Sequence, residues 1–236
     1  MLFRSEYKKV LNFIFLHSLR IVLAPVNLSG KISQSSAVIV IPHNIFLLFD
    51  KEFIKVMGNR QSFSRLFDPP PDTKLMKDIL VASLRSPDHM GLRPYRFILI
   101  SGEQRNKLGE LFAEHKLDIS VDENPEMSHV AKQKAFRAPL IIVGIVSFQE
   151  NQRVPRWEQK IAAAGVIHNI GLGVYASGFG SIWRTGDFAS SDIVRKGLKV
   201  NSSEEIIGFL YVGSRPEKQR KLKPAAIDDF FSYWSD

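Results

Sequence analysis

Few side chains in this 236-residue sequence could do chemistry unaided, and their spacing argues against most hydrolytic machinery. The six histidines, at positions 17, 43, 89, 115, 129 and 168, show no H-x-x-x-H spacing, and with no cysteine in the chain nothing completes a zinc site. There is no G-x-S-x-G elbow to present a serine, no G-x-x-x-x-G-K-S/T loop to cradle phosphate, and no G-x-G-x-x-G after a strand. Gly178-Phe179-Gly180 is a lone G-x-G at a helix end, where a C-cap and turn explain it more simply than a nucleotide. No side chain is therefore assigned as catalytic and none as a metal ligand. A chain so short of acid–base groups points to reactivity borrowed from a cofactor.

Periodicity and breakers outline the elements that would position such a cofactor. Lys51–Met57 reads as a short helix with Phe53, Ile54 and Met57 on one core-facing side, ended by Gly58 and Asn59. Asp72 is a candidate N-cap for a helix reaching Arg85 and halted before Pro87. Tyr95–Ser101 reads as a strand, Gln104–His115 as an amphipathic helix, and the acidic Asp118–Ser128 as a loop. Leu140–Phe148 is continuously apolar, as in a strand buried on both faces. Pro155–Ser177 is a long helix with proline in its first turn. Ser181–Arg184 is a short strand, Ser190–Gly197 a helix, and Ile206–Val212 a final buried strand. The alternation is irregular, which implies an α+β fold with a mixed β-sheet flanked by helices.

With 44% hydrophobic and 24% charged residues, the composition is that of a soluble globular chain. The net charge of +8 invites a nucleic-acid partner, but it is dispersed. Residues 1–56 hold seven Lys/Arg against three Asp/Glu, and the remaining 180 hold 25 against 21. The densest cluster, Arg215, Lys218, Arg220, Lys221 and Lys223, reads as a solvated tail. No nucleic-acid partner is expected. Residues 1–50 differ from the rest, with apolar stretches at Val10–Ala24 and Ala37–Phe49 that are too interrupted for a spanning helix of about 20 residues. They are expected to be an extension outside the main domain at 51–236, without stable membrane insertion. The lack of cysteine fits a reducing compartment, the cytoplasm.

Four segments carry a resemblance: Asn59-Arg60-Gln61-Ser62-Phe63-Ser64-Arg65; Arg85-Ser86-Pro87-Asp88-His89 with Pro94-Tyr95-Arg96-Phe97; Phe136-Arg137-Ala138-Pro139-Leu140 through Val154-Pro155-Arg156-Trp157-Glu158-Gln159; and Gly178-Phe179-Gly180-Ser181-Ile182-Trp183-Arg184-Thr185-Gly186. In this order and spacing, from about residue 51 to 234, the chain resembles the nitroreductase family, in its small YdjA-type branch. The resemblance implies a nitroreductase-like flavin domain over residues 51–236, a homodimer with shared FMN sites, and hydride transfer from NAD(P)H to an electron-poor acceptor such as a nitroaromatic or quinone, in ping-pong order.

It also implies site residues. Arg60, Gln61 and Ser62 stand where the family holds the phosphate and ribityl chain, a task suited to a guanidinium and a hydroxyl. Gln61 replaces an arginine common in close relatives, leaving one cation fewer. Arg85 and His89 match positions that reach the flavin from the other subunit, with a helix-end histidine capping carbonyls as the alternative for His89. Trp183, Arg184 and Thr185 align with the segment lining the flavin ring, and a buried core tryptophan is the competing reading. Gly173, Val174, Tyr175, Ala176, Ser177 and Gly178 align with a nicotinamide-nucleotide contact, or else only permit close packing. Arg93 and Arg96 read as surface charges. Small residues crowd the long helix, and Ala164, Gly171 and Gly178 recur every seven positions. That stripe is either the subunit seam or a contact with the chain's own sheet.

Overall fold

The structure, a computed structural model, describes residues 52–120, 125–218 and 220–234, all within the unit His43–Asp236. The apolar stretches before residue 50 and the centre of the acidic 118–128 segment lie outside the described residues. Helix α1 spans 52–59. It is followed by α2 (Thr73–Ser83), β1 (Tyr95–Ser101), α3 (Gln104–Asp118), α4 (Pro125–Gln133), β2 (Leu140–Ser147), α5 (Arg156–Ala176), β3 (Gly180–Arg184), α6 (Asp187–Ser190), α7 (Asp192–Gly197) and β4 (Glu204–Gly213).

The strands form one sheet in the order β1-β2-β4-β3, and every ladder between them is antiparallel. Parallel pairing, expected as part of a mixed sheet, enters only through the isolated bridge between Ser62 and Ser181. Alternation along the strands builds two cores. Ile141, Val143, Ile145, Ile206, Phe209 and Tyr211 face one side, with Leu108 and Phe112 of α3, Ala131 of α4 and Val194 of α7. Leu140, Ile142, Leu210 and Val212 face the other, with Met76 and Ile79 of α2 and Val166, Ile167, Ile170 and Val174 of α5. The continuous apolar run of β2 is thus explained by burial on both faces.

Asp72 caps α2 as expected, its Oδ1 accepting the Leu75 N–H at 2.8 Å. Other expectations are corrected. Phe53, Ile54 and Met57 are exposed, because α1 turns Val56, on its other side, inward instead. The expected loop after Asp118 gives way at Pro125 to α4, whose proline and Glu126 occupy the favourable first turn of a helix. Arg96 is not a free surface charge: it forks onto Glu204, with Nε to Oε1 at 2.7 Å and Nη2 to Oε2 at 2.8 Å. Gly171 is buried against Ser181 Oγ and Leu210 of its own sheet, so the seven-residue stripe does not mark a seam there.

The sheet is irregular at one place, next to β3. The β2–β4 register shifts between Gly144 and Ile145, with Ile207 as the extra residue on β4 beside Gly208 at φ +138°. A bulge of this kind bends a strand and re-aims side chains.

Candidate functional site

The expected phosphate-binding segment is pinned to the sheet edge. Arg60 follows α1, with its N–H donating to Val56 O at 3.0 Å. Ser62 then bridges Ser181 at the start of β3, and the Phe63 N–H donates to Ser181 O at 3.2 Å. Arg60 Nη1 lies 3.5 Å from Ser62 Oγ, so guanidinium and hydroxyl present themselves together. Arg220 joins them from the C-terminal segment, donating through Nη2 to Ser62 O at 3.2 Å. The basic C-terminal cluster is therefore not merely a solvated tail. Arg215 donates to Gly178 O at 2.9 Å and lies over the Tyr175 ring.

Between these elements opens a cleft of about 730 Å³ lined by Asn59, Gln61, Tyr175, Ala176, Arg215 and Arg220 together with Glu52, Lys55 and Val56 of α1. It brings the 60–62 segment and the end of α5 to one place. Within 173–178 the roles divide. Val174 is buried in the core and Gly173 packs on Ile79, while Tyr175 and Ala176 reach the cleft. Neither Arg215 nor Arg220 pairs with a carboxylate among the described residues. Their charge is held by carbonyl and ring contacts and remains available to an anion.

Further along β3 the bulge sets Trp183. Its indole N–H donates to Ile207 O at 3.1 Å, and an added Cβ at Gly208 would sit 2.3 Å from Trp183 Nε1 and 2.6 Å from Arg184 O. Only glycine lets the ring lie over the bulge. Trp183 remains 38% exposed, so it is a surface wall rather than a core tryptophan. Arg184 points to the opposite face, toward the Tyr211 ring at 6.0 Å, and its buried Nε lacks a hydrogen-bond partner. Burial pushes the Tyr211 phenol up to about 12, despite opposition from Arg184 and Arg137. Thr185 is exposed at the end of the strand.

Arg85 and His89 lie elsewhere. Arg85 is exposed in the turn after α2. His89 Nδ1 meets Glu158 Oε2 at 2.7 Å, in the first turn of α5. Tyr175 lies 17 residues further along the same helix, or about 25 Å at ~1.5 Å per residue. One chain thus holds the two halves of the expected site at opposite ends of α5. The Val154–Gln159 block now has physical content. Gln159, 1% exposed, clamps the preceding loop through Gln149 N, Gln149 O and Val154 O, and Glu158 fixes His89. Glu158, Gly208 and Arg220 were missed in the sequence. An interior-strand glycine was the available signal for the bulge, whereas nothing local marked Arg220.

The sequence profile described as "Nitroreductase family" matches residues 58–214. The chain is 35% identical over 161 residues to the Escherichia coli K12 protein described as "Putative NAD(P)H nitroreductase YdjA", covering 68% of this chain and 87% of that protein. The chain belongs to the nitroreductase family. As a nitroreductase-family protein it is an oxidoreductase, and the folds agree. A nitroreductase-like family protein from Bacillus cereus superposes with TM-score 0.68 at 19% identity, covering 77% of this chain and 95% of its own. The FMN and NADPH-dependent nitroreductase NfnB from Sphigopyxis superposes with TM-score 0.62 at 15% identity, covering 78% and 99%. No helix among the described residues is long and apolar enough to cross a membrane.

Proposed function

We propose that this nitroreductase-family chain is an FMN-dependent homodimer that passes hydride from NAD(P)H to an electron-poor acceptor, a nitroaromatic or quinone, in ping-pong order. The observation that carries the reading is the split site. Arg60, Ser62 and Arg220 form a phosphate-shaped donor set beside β3, with Trp183 and Arg184 on that strand and Thr185 just after it. His89 is held by Glu158 in the first turn of α5, the end opposite Tyr175 and the cleft, and would reach the flavin of the other chain. The exposed apolar residues Trp157 and Ile161 of α5, and Val81 and Leu84 of α2, supply a face for such a partner.

The donor set fits FMN. Arg60 and Arg220 would take its phosphate, and Ser62 Oγ would share that contact. Trp183 would shield the ring from water, and His89, held by Glu158 at 2.7 Å, would donate to a ring oxygen of the other site. Tyr175, Ala176 and Arg215 would receive the phosphates of the nicotinamide nucleotide, with Arg85 adding positive charge beside His89. Bound flavin supplies the hydride chemistry; the protein's own groups orient, shield and balance charge. The cysteine-free chain suits the cytoplasm.

The deciding experiment is the absorption spectrum and light-scattering mass of the purified protein, followed by NADH or NADPH addition under argon. We expect a dimer carrying one flavin per chain, bleached by the nucleotide and restored by an acceptor. A colourless protein that takes up no added FMN would overturn the reading.

A further inference from the structure

On the face of the sheet opposite α5, two lysines and a buried histidine crowd one carboxylate. Lys116 of α3 pairs with Asp187 at the start of α6. His115 Nε2 stops 3.7 Å from that carboxylate, buried and beyond hydrogen-bond reach. Lys134, in the turn after α4, and Lys116 both approach the Phe188 ring, their ammonium nitrogens 4.8 and 5.7 Å from its centroid. Lys134 forms no ion pair among the described residues. Burial lowers its pKa most; Lys116, Arg137 and Arg184 add to this, and Asp187 opposes them. Between α3 and α4 opens a cavity of about 370 Å³ lined by Lys116, Lys134, Met127, Val130, Ala131 and Glu126.

Like charges held together raise the energy of the folded state, and an entering anion recovers part of it. The walls select the kind of anion. Three of the six lining residues are apolar, and the cationic groups are lysine ammoniums rather than a guanidinium fork or a cradle of N–H groups. The volume lies at the small end of ligand cavities, roughly 300–1,000 Å³. We infer that the cavity between α3 and α4 binds a small organic carboxylate, with its apolar body against Met127, Val130 and Ala131 and its charge at Lys134. Lys116 is then shared between the ligand and Asp187. The site goes beyond the redox reading and does not depend on it.

Benzoate is a suitable probe, with benzyl alcohol as its neutral counterpart, each titrated calorimetrically into the full chain. Benzoate is expected to bind saturably and benzyl alcohol at least about tenfold more weakly, the usual weight of a charge-assisted contact. Lys134→Gln should weaken benzoate by a similar factor. Val130→Trp, at a half-exposed position, fills the cavity while keeping every charge, so it should abolish binding. Equal affinity for the two probes, no saturable benzoate binding, or unchanged affinity in either Lys134→Gln or Val130→Trp would overturn the inference.

Discussion

Arg60 and Arg220 meet at Ser62 although 158 residues of chain separate Ser62 from Arg220. Gln61, between Arg60 and Ser62, is buried at the cleft. A charge-assisted phosphate contact is worth roughly 1.5–3 kcal/mol, or about ten- to a hundredfold in affinity. Arg60→Ala and Arg220→Ala are each expected to weaken FMN retention by about that factor. Melting of the flavin-free protein should barely change, because both side chains serve carbonyl or hydroxyl partners at the surface. Fluorimetric FMN titration and thermal melting would be read together. Unchanged FMN affinity in both variants would remove this segment from the phosphate site.

At the scale of elements, the β4 bulge is the device that aims Trp183. Gly208 combines a φ of +138° with an approach that leaves no room for a Cβ. Gly208→Ala is therefore expected to destabilise the fold by roughly 1–3 kcal/mol through backbone strain and overpacking. It should also displace the indole from Ile207 O, giving a red-shifted tryptophan emission and lost flavin. Urea unfolding and emission spectra provide the check; a variant with native stability and emission would show that the bulge does not hold the ring. Helix α5 acts differently. Its buried face, Val166, Ile170, Gly171 and Val174, serves its own sheet, leaving Trp157 and Ile161 on the exposed side. The Gly171 stripe therefore predicts nothing about assembly, and Ile161→Asp is the better test. It should convert a dimer into a monomer by light scattering and release flavin with it.

Across the whole molecule, Glu204 ties three parts of the fold together. It accepts from Arg96 of β1, from Ser147 of β2 at 2.6 Å and from the Asn201 N–H at 3.0 Å. The Arg96 contact first, with help from Ser147 and Asn201 and against burial, brings its pKa down to about 2. A carboxyl depressed in the folded state stabilises above its unfolded pKa, and that stability is lost as pH falls through the folded value. Glu204→Gln should thus cost roughly 2–3 kcal/mol at pH 7. The cost should shrink at pH 3 and vanish near pH 2, as read from urea midpoints of both proteins. A penalty independent of pH would refute the ion-pair account. At the other end of the chain, we propose that residues 1–48 are dispensable for the flavin domain. A protein beginning at residue 49 should stay dimeric and yellow. One beginning at residue 60 should lose flavin without losing the core, since α1 lines the cleft but buries none of Phe53, Ile54 or Met57. Flavin content and melting of the two truncations would decide it.

Local signals were enough for the features that depend on near neighbours. The Asp72 cap, the Pro155 start of α5, the twice-buried β2 run and the short β3 strand follow from periodicity and breaker residues, whose physics acts over a few positions. The four blocks that resemble the family were legible for the same reason: each is contiguous. What lay beyond the sequence was every pairing between distant residues. Arg96 looked like a surface charge until β4 brought Glu204 beside it, and Arg220 looked like a solvated tail until it reached Ser62. Gly171 suggested a subunit seam, with the chain's own sheet as the alternative, until Ser181 and Leu210 filled one side. A side chain's charge and shape are encoded where it stands, but its partner is chosen by strand order and helix placement. Those are properties of the folded chain as a whole, so only the tertiary structure decided them.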